Sequence, residues 1–143
     1  MRWALGITLA AGMTLAGSDL SGIRSEPNPE KRAKLAMDHA REELQSATKA
    51  YSGGDVKGAM AAVGELGESV DLCKESLRAT GKDARKNPKA FKRAEMEIRE
   101  LLRRLKSAET DFSVDDRAAV LDVEQHLQDV HDDLIQQIMS KKK

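Results

Sequence analysis

Aromatic residues are scarce in this chain of 143 residues, which contains one Trp, one Tyr and two Phe. A core built from β-sheets normally recruits aromatic and β-branched side chains, so the composition disfavours a β-rich fold. Charged residues make up 34% of the chain, and Ala, Leu, Glu, Lys and Arg are abundant. Because these residues favour helices, the composition predicts an all-α protein.

Cysteine is almost absent, since Cys73 is the only one. A single cysteine excludes a disulfide within the chain. Cys73 falls on the apolar face of its predicted helix, and a free cysteine in such a position usually behaves as a small buried hydrophobic residue. We therefore predict a buried side chain rather than an intermolecular bridge or a metal ligand.

An excess of charge of either sign is also lacking, because 24 Lys and Arg balance 24 Asp and Glu. A neutral chain has no global field to attract nucleic acid or a membrane surface. The basic stretch from Lys82 to Arg104 has no interleaved aromatic residues for base stacking, since Phe91 belongs to an apolar stripe. We predict no nucleic-acid partner. Binding of this stretch to an anionic surface of the cell envelope is an alternative that the sequence allows.

The beginning of the chain has the pattern of a secretory signal peptide. Arg2 supplies a positive charge, Trp3–Leu15 is apolar, and Ala16, Gly17 and Ser18 offer small residues for cleavage. The pattern predicts a signal peptide over residues 1–17, with the exact cut open by about two residues. An uncleaved anchor and an ordinary N-terminal helix are the alternatives, although the apolar run is shorter than the roughly 20 residues of a membrane span. We expect a periplasmic or secreted protein without a transmembrane span after cleavage.

A polar tether is expected over residues 18–28, followed by four long helices at about 29–52, 55–80, 88–109 and 114–140, and by a basic tail over 141–143. Apolar residues in these segments recur at spacings of three and four, which keeps a narrow stripe on one side of a helix. Such stripes pack by inserting side chains between those of a neighbouring helix, as in coiled coils. We predict an antiparallel up-down-up-down four-helix bundle.

Capping residues mark the expected helix ends. Asn28-Pro29 and Asn87-Pro88 are typical of helix starts, because Asn caps and Pro suits the first helical position. Gly53-Gly54 should end the first helix and Asp55 should cap the second. Ser113 with Asp116 resembles a capping box for the fourth helix.

Charge distinguishes the last two helices. Residues 78–106 carry 11 basic and 4 acidic residues, a net of +7, whereas residues 109–139 carry 1 basic and 9 acidic, a net of −8. Opposite charges attract, so this asymmetry predicts that the third and fourth long helices pack together. Exposed ion pairs contribute only about 0.2–1 kcal/mol each, so the apolar stripes should supply most of the stability.

Two surfaces are candidates for binding a partner. Glycines in a helix interior destabilise it by about 0.8–1 kcal/mol each relative to alanine. The presence of Gly58, Gly64 and Gly67 in one predicted helix therefore needs an explanation. Either a neighbouring helix approaches closely, or the glycines form a groove for a partner. The other candidate is the basic face of the third long helix, with Lys89, Lys92 and Arg93.

No constellation of catalytic residues stands out in the sequence. The histidines, His39, His126 and His131, do not form a His-x-x-x-His or Glu-x-x-His motif, so no metal site is predicted. A Gly-x-Ser-x-Gly elbow and a phosphate-binding glycine loop are also missing. We predict that the protein is not an enzyme and that it carries no cofactor.

One pair of residues supports an alternative. Met37 lies about eight residues into the first long helix and His131 about nine before the end of the fourth, at matching heights in an antiparallel bundle. In this respect the chain is similar to the cytochrome b562 family, in which a Met and a His from these helices bind haem iron. The resemblance implies a small ligand- or haem-binding bundle that uses Met37 and His131.

The leading hypothesis from the sequence is an exported, non-enzymatic helical interaction or accessory protein of the cell envelope. Its partner would be another protein, a second copy of the chain included, because coiled-coil seams do not fix the number of copies. Absorbance of the purified protein would distinguish this hypothesis from the haem-binding alternative.

Overall fold

The structure is a computed structural model that describes residues 20–140, and within that range every regular element is a helix. The all-α prediction is confirmed. The bounds of the four long helices lie within one residue of the expected ones. The helices are α1 (Leu20–Arg24), α2 (Pro29–Ser52), α3 (Val56–Ala79), α4 (Lys89–Glu109) and α5 (Val114–Met139).

The apolar stripes of the long helices meet in one shared core. In α4, for example, Phe91, Ile98 and Leu105 are at most 3% exposed. Each of these positions follows the previous one by seven residues, or about two helical turns, so they project from the same side of the helix. The largest buried side chains come from α1 and from all four long helices: Ile23, Met37, Leu66, Leu77, Ile98, Leu101, Leu105, Leu127 and Leu134.

The segment between residues 18 and 28 differs from the polar tether that we expected. Residues 20–24 form the short helix α1, which packs on α2. Leu20 and Ile23 are 7% and 2% exposed and belong to the core. Residues three positions apart lie on the same face of a helix. Burial of these two side chains therefore packs the short helix against the bundle.

Arg32 links the segment that follows α1 to two of the long helices. From its position in the second turn of α2, it donates from Nη1 to the carbonyl oxygen of Glu26 and from Nε to Oγ of Ser76, each at 2.8 Å. Ser76 lies on α3 and is fully buried. This charged hydrogen bond therefore satisfies a hydroxyl that has no access to water.

Each long helix packs mainly against two others. α2 and α3 form the most extensive contact, α4 packs on α5, α3 also packs on α5, and α2 on α4. Polar contacts join α3 to α5, where His126 Nε2 lies 2.6 Å from Asp71 Oδ1 and Lys74 Nζ lies 3.8 Å from Asp133 Oδ2. The described helices thus form a helical bundle.

The predicted packing of α4 against α5 is observed, but direct ion pairs between basic α4 and acidic α5 do not accompany it within residues 20–140. Within residues 20–140, the ion pair that joins them is His131 with Glu95, with the acidic partner on α4 rather than on α5. Basic residues of α4 pair within their own helix instead, as Arg103 does with Glu100 at 2.6 Å. Buried apolar side chains of both helices therefore hold this interface, as the apolar stripes predict.

The predicted caps form at three of the four long helices. Asn28 accepts hydrogen bonds from the N–H groups of Glu30 and Lys31, and Asp55 accepts one from Gly58. Ser113 caps α5 by accepting from Asp116 N–H. The Asn87-Pro88 prediction is wrong, because α4 begins at Lys89 with Pro88 in the cap position and no side-chain cap.

Glycines permit the two tight turns that end α2 and α3. Gly54 and Gly81 have φ angles of +83° and +66°, a region that residues with a Cβ rarely adopt. Gly54 lies between α2 and α3, so the connection expected from Gly53-Gly54 is present. None of the helices within residues 20–140 is both long enough and apolar enough to cross a membrane.

Candidate functional site

A cleft of about 450 Å³ opens between α2, α3 and α4. It lies at the end of the bundle where α2 begins, α3 ends and α4 begins, and the loop from α3 to α4 forms part of its wall. The lining residues are Glu30, Ala33, Lys34, Met37, Cys73, Leu77, Lys82, Asn87, Pro88, Lys89, Ala90, Arg93, Ala94 and Glu97.

The floor of the cleft is apolar. Met37, Cys73 and Leu77 line it and are each 1% exposed, and the small side chains of Ala33 and Ala94 leave room above them. Burial raises the pKa of the Cys73 thiol to about 12. The thiol is therefore protonated at neutral pH and offers a hydrophobic surface rather than a nucleophile. The prediction that Cys73 is buried is confirmed.

The rim of the cleft is cationic. Four lining residues are basic and two are acidic, which gives 4 − 2 = +2. Glu30 and Glu97 already have partners, since Glu30 lies 2.5 Å from Lys82 Nζ and Glu97 lies 3.6 Å from Arg41 Nη1. The hydrogen bond from Lys82 lowers the pKa of Glu30. Burial raises the pKa of Glu97, although the charge of Arg41 opposes that shift.

Within the described part of the chain, three cations of the rim make no direct ion pair, although the charges of Lys89 and Arg93 are near enough to lower the pKa of Glu30. Lys34, Lys89 and Arg93 are exposed, and none of them takes part in an ion pair among residues 20–140. Lys89 and Arg93 are one turn apart on α4, and Lys34 of α2 lines the same cleft. A negatively charged group in the cleft would thus find three cations among the lining residues that are not held in a direct ion pair by another described residue.

The predicted basic surface is thus divided by the fold. Lys89 and Arg93 line the cleft, whereas Lys92 is exposed and lies outside it. Successive residues of a helix are separated by about 100°, which turns Lys92 away from the side that carries Ala90, Ala94 and Glu97. Lys82 belongs to the basic stretch singled out in the sequence, whereas Lys34 was missed because it comes from α2, which only the fold brings beside α4.

The three helical glycines do not form one groove. Gly58 lies at the start of α3, where its N–H donates to Asp55 Oδ1 at 2.9 Å. Gly64 is exposed, with open space where a Cβ would be. Gly67 is buried, and a Cβ there would lie 3.8 Å from Val123 of α5. That distance is an ordinary van der Waals contact, so close approach of a neighbouring helix does not require glycine at position 67 either.

Met37 and His131 are not brought together. Met37 lines the cleft described above, whereas His131 lines a second cavity of about 280 Å³ between α4 and α5. Nε2 of His131 lies 2.9 Å from Glu95 Oε1, and its Nδ1 lies 3.5 Å from Asp132 Oδ1. Since the two residues line different cavities, their placement does not favour a shared haem iron.

Comparison of the chain with models of known protein families gives no match, and neither the curated proteins nor the solved structures give one.

Proposed function

We propose that this chain is an exported, non-enzymatic accessory protein of the cell envelope that binds an anionic amphiphile in the cleft. An anionic amphiphile is an apolar chain that ends in a carboxylate or phosphate. In this proposal the mature protein is an antiparallel up-down-up-down four-helix bundle, released from a signal peptide over residues 1–17, a segment that lies outside the described residues. The N-terminal pattern of Arg2, the apolar run and small residues supports export.

The observation that carries the proposal is that three cations, none in a direct ion pair among residues 20–140, line the same cleft as an apolar floor. Lys34, Lys89 and Arg93 would contact the acidic head group, and Met37, Cys73 and Leu77 would contact the chain. Burying the chain would contribute roughly 25 cal/mol per Å² of apolar surface. Each exposed ion pair would add only about 0.2–1 kcal/mol, so the cations would select the head group more than they would set the affinity.

The dimensions of the cleft favour a small molecule over a protein surface. A volume of about 450 Å³ is within the range of roughly 300–1,000 Å³ that is usual for small-molecule sites. A stable protein interface instead buries about 800 Å² on each partner, mostly over a flat area. The lining residues include no Ser, Thr, Tyr or His, and the one thiol is protonated, which supports binding without catalysis.

Calorimetric titration tests this function. We expect dodecanoate and dodecyl phosphate to bind one per chain, and dodecanol and dodecyltrimethylammonium to bind more weakly, because they lack the anionic head group. The double variant Lys89→Ala/Arg93→Ala should weaken anion binding by roughly 2- to 30-fold, the equivalent of two exposed ion pairs. The matched control is Lys86→Ala/Lys92→Ala, which removes the same charge at exposed positions outside the cleft.

The control separates a local contact from a general effect of net charge. If both double variants weakened anion binding equally, the cations would act only through the net charge of the protein. The binding site would then not be the cleft. Failure of both anions to bind the wild-type chain would exclude the proposed function. An acidic peptide that bound where the amphiphiles did not would assign the surface to a protein partner instead.

A further inference from the structure

His39, Glu43 and Glu65 form a cluster of potential metal ligands between α2 and α3. His39 and Glu43 are one turn apart on α2, and Glu65 faces them from α3. One ligand atom from each residue lies within 4.8 Å of the other two. None of the three lines the cleft, so the cluster is independent of the proposed amphiphile site.

The distances suit a tetrahedral metal ion. Nε2 of His39 lies 3.1 Å from Glu65 Oε1 and 3.6 Å from Glu43 Oε1. Ligand atoms bound to Zn²⁺ at 2.0–2.1 Å and at tetrahedral angles are roughly 3.3 Å apart. The two distances fall on either side of that value. Small rotations of the carboxylates would therefore place all three atoms around one ion.

The surroundings of the cluster are negative. Within the described residues, no Lys or Arg lies within ion-pair distance of Glu43 or Glu65, and His39 is their shared partner. Ligand oxygens of the two carboxylates lie within 4.8 Å of each other, so their negative charges repel. A divalent cation between them would remove this repulsion, and the half-exposed Glu65 leaves the position open to solvent.

The far side of the imidazole supplies an independent argument. The His39 side chain is 5% exposed, and its Nδ1 is buried without a hydrogen-bond partner. A histidine that binds a metal through Nε2 carries its proton on Nδ1 and usually donates it to a carboxylate. Oε2 of Glu42 lies 3.9 Å from this Nδ1, one helical turn away. Metal binding would thus give the orphaned nitrogen a defined role as a donor, and a small movement of the Glu42 carboxylate toward it would let Glu42 accept its hydrogen bond.

We propose that His39, Glu43 and Glu65 bind a divalent transition-metal ion of the Zn²⁺ class, with water completing the coordination. One imidazole and two carboxylates form a donor set that suits Zn²⁺ better than Ca²⁺ or Mg²⁺, which prefer oxygen ligands alone. The ion would join α2 to α3 near the middle of their shared interface. The sequence contains a signal for this site in the spacing His39-x-x-x-Glu43, which a search for paired histidines does not detect.

Competition with a chromophoric chelator tests the site on the full chain after metal removal. We expect one Zn²⁺ per chain and a higher melting temperature with Zn²⁺ than without it. Glu43→Gln and Glu65→Gln should each lower the Zn²⁺ affinity by at least about tenfold. These variants retain the side-chain size, so the fold should persist, and circular dichroism checks that it does.

The control variant is Glu68→Gln, which removes an exposed carboxylate one turn from Glu65 and should leave Zn²⁺ affinity unchanged. Two results would overturn the proposal. One is the absence of Zn²⁺ binding by the wild-type chain at 100 µM metal, roughly the upper limit for a useful site. The other is binding that Glu43→Gln and Glu65→Gln leave unchanged, which would assign the metal to other residues such as His126 with Asp71.

Discussion

The hydroxyl oxygen of Tyr51 lies 2.9 Å from Oδ2 of Asp116 and joins the end of α2 to the start of α5. The same hydroxyl accepts a hydrogen bond from Ser113 N–H at 2.8 Å. In an ordinary capping box, the acidic side chain would accept that N–H directly. Here the carboxylate is too short to reach it, and Tyr51 bridges the gap. The Tyr51 ring also contacts Phe112, with the ring centroids 4.3 Å apart.

Replacing Tyr51 by Phe should lower the free energy of unfolding by about 1–2 kcal/mol. The variant keeps the ring contact but removes a hydroxyl that serves both Ser113 N–H and the Asp116 carboxylate. Urea denaturation of the two proteins measures the difference. Asp115→Asn is the control, because this neighbouring exposed carboxylate makes no such bridge. Equal stability of Tyr51→Phe and the wild type would mean that water replaces the hydroxyl without loss.

Alanine substitutions at two glycines of α3 should have different effects on the stability of the protein. Gly64→Ala should raise the free energy of unfolding by about 0.8–1 kcal/mol, because the position is exposed and free of contacts. Gly58→Ala should not stabilise, since its Cβ would lie 2.2 Å from Oδ2 of Asp55 and displace the cap. Thermal melts of both variants check this ordering. A stabilised Gly58→Ala together with a destabilised Gly64→Ala would contradict it.

The buried carboxyl of Glu124 should make stability depend on pH near neutrality. Burial, and then the neighbouring carboxyl of Glu109, raise the pKa of Glu124 to about 7 from its usual 4.5. The folded chain therefore binds more protons than the unfolded chain between these values. The free energy of unfolding should fall as pH rises from 4.5 to 7 and remain lower above that range.

Glu124→Gln should remove most of this pH dependence. The free energy of unfolding of the variant minus that of the wild type should therefore be roughly 1–3 kcal/mol larger at pH 8 than at pH 5. Urea denaturation at several pH values gives the comparison, and the histidines contribute equally to both proteins. Glu100→Gln serves as the control, because the pair with Arg103 lowers the pKa of Glu100 and moves its titration below this range. A difference between wild type and Glu124→Gln that is constant with pH would argue against a raised pKa.

Cys73 should react slowly with iodoacetamide in the native state. Its thiol is buried and its pKa is raised to about 12, so little thiolate is present at pH 8. Mass spectrometry should find rapid labelling in 6 M urea, roughly the concentration that unfolds a small domain, and almost none in buffer. Because Cys73 lines the cleft, a bound amphiphile should slow the native labelling further. Fast labelling in buffer would show that the cleft floor is open to solvent.

The stripes were predictable from the sequence because each helix carries its own pattern. Ile98 and Leu105 are buried for reasons that the spacing within α4 contains. The cleft was not predictable in the same way, since Lys34, Lys82 and Arg93 come from three different elements. Their proximity depends on how the helices are placed around the core. The spacing of apolar residues within one helix does not specify that placement.

Other errors have local physical causes. Leu20 and Ile23 stand among polar and small residues, so the apolar content of that segment is too low to predict a packed turn. The Asn87-Pro88 pair has the sequence of a cap, yet Asn87 N–H donates to the carbonyl oxygen of Asp83 in the preceding turn. The His39 cluster depends on Glu65 from a second helix, so only two of its three residues lie in one periodic segment.

Mapping of amide chemical shifts by NMR tests the central claim, that the cleft between α2, α3 and α4 binds an anionic amphiphile. On titration with dodecyl phosphate, we predict the largest shifts at Lys34, Met37, Cys73, Lys89 and Arg93, with little change at Lys92 or at the cavity beside His131. Shifts concentrated at His131 and Lys106, or spread evenly over exposed lysines, would contradict the account.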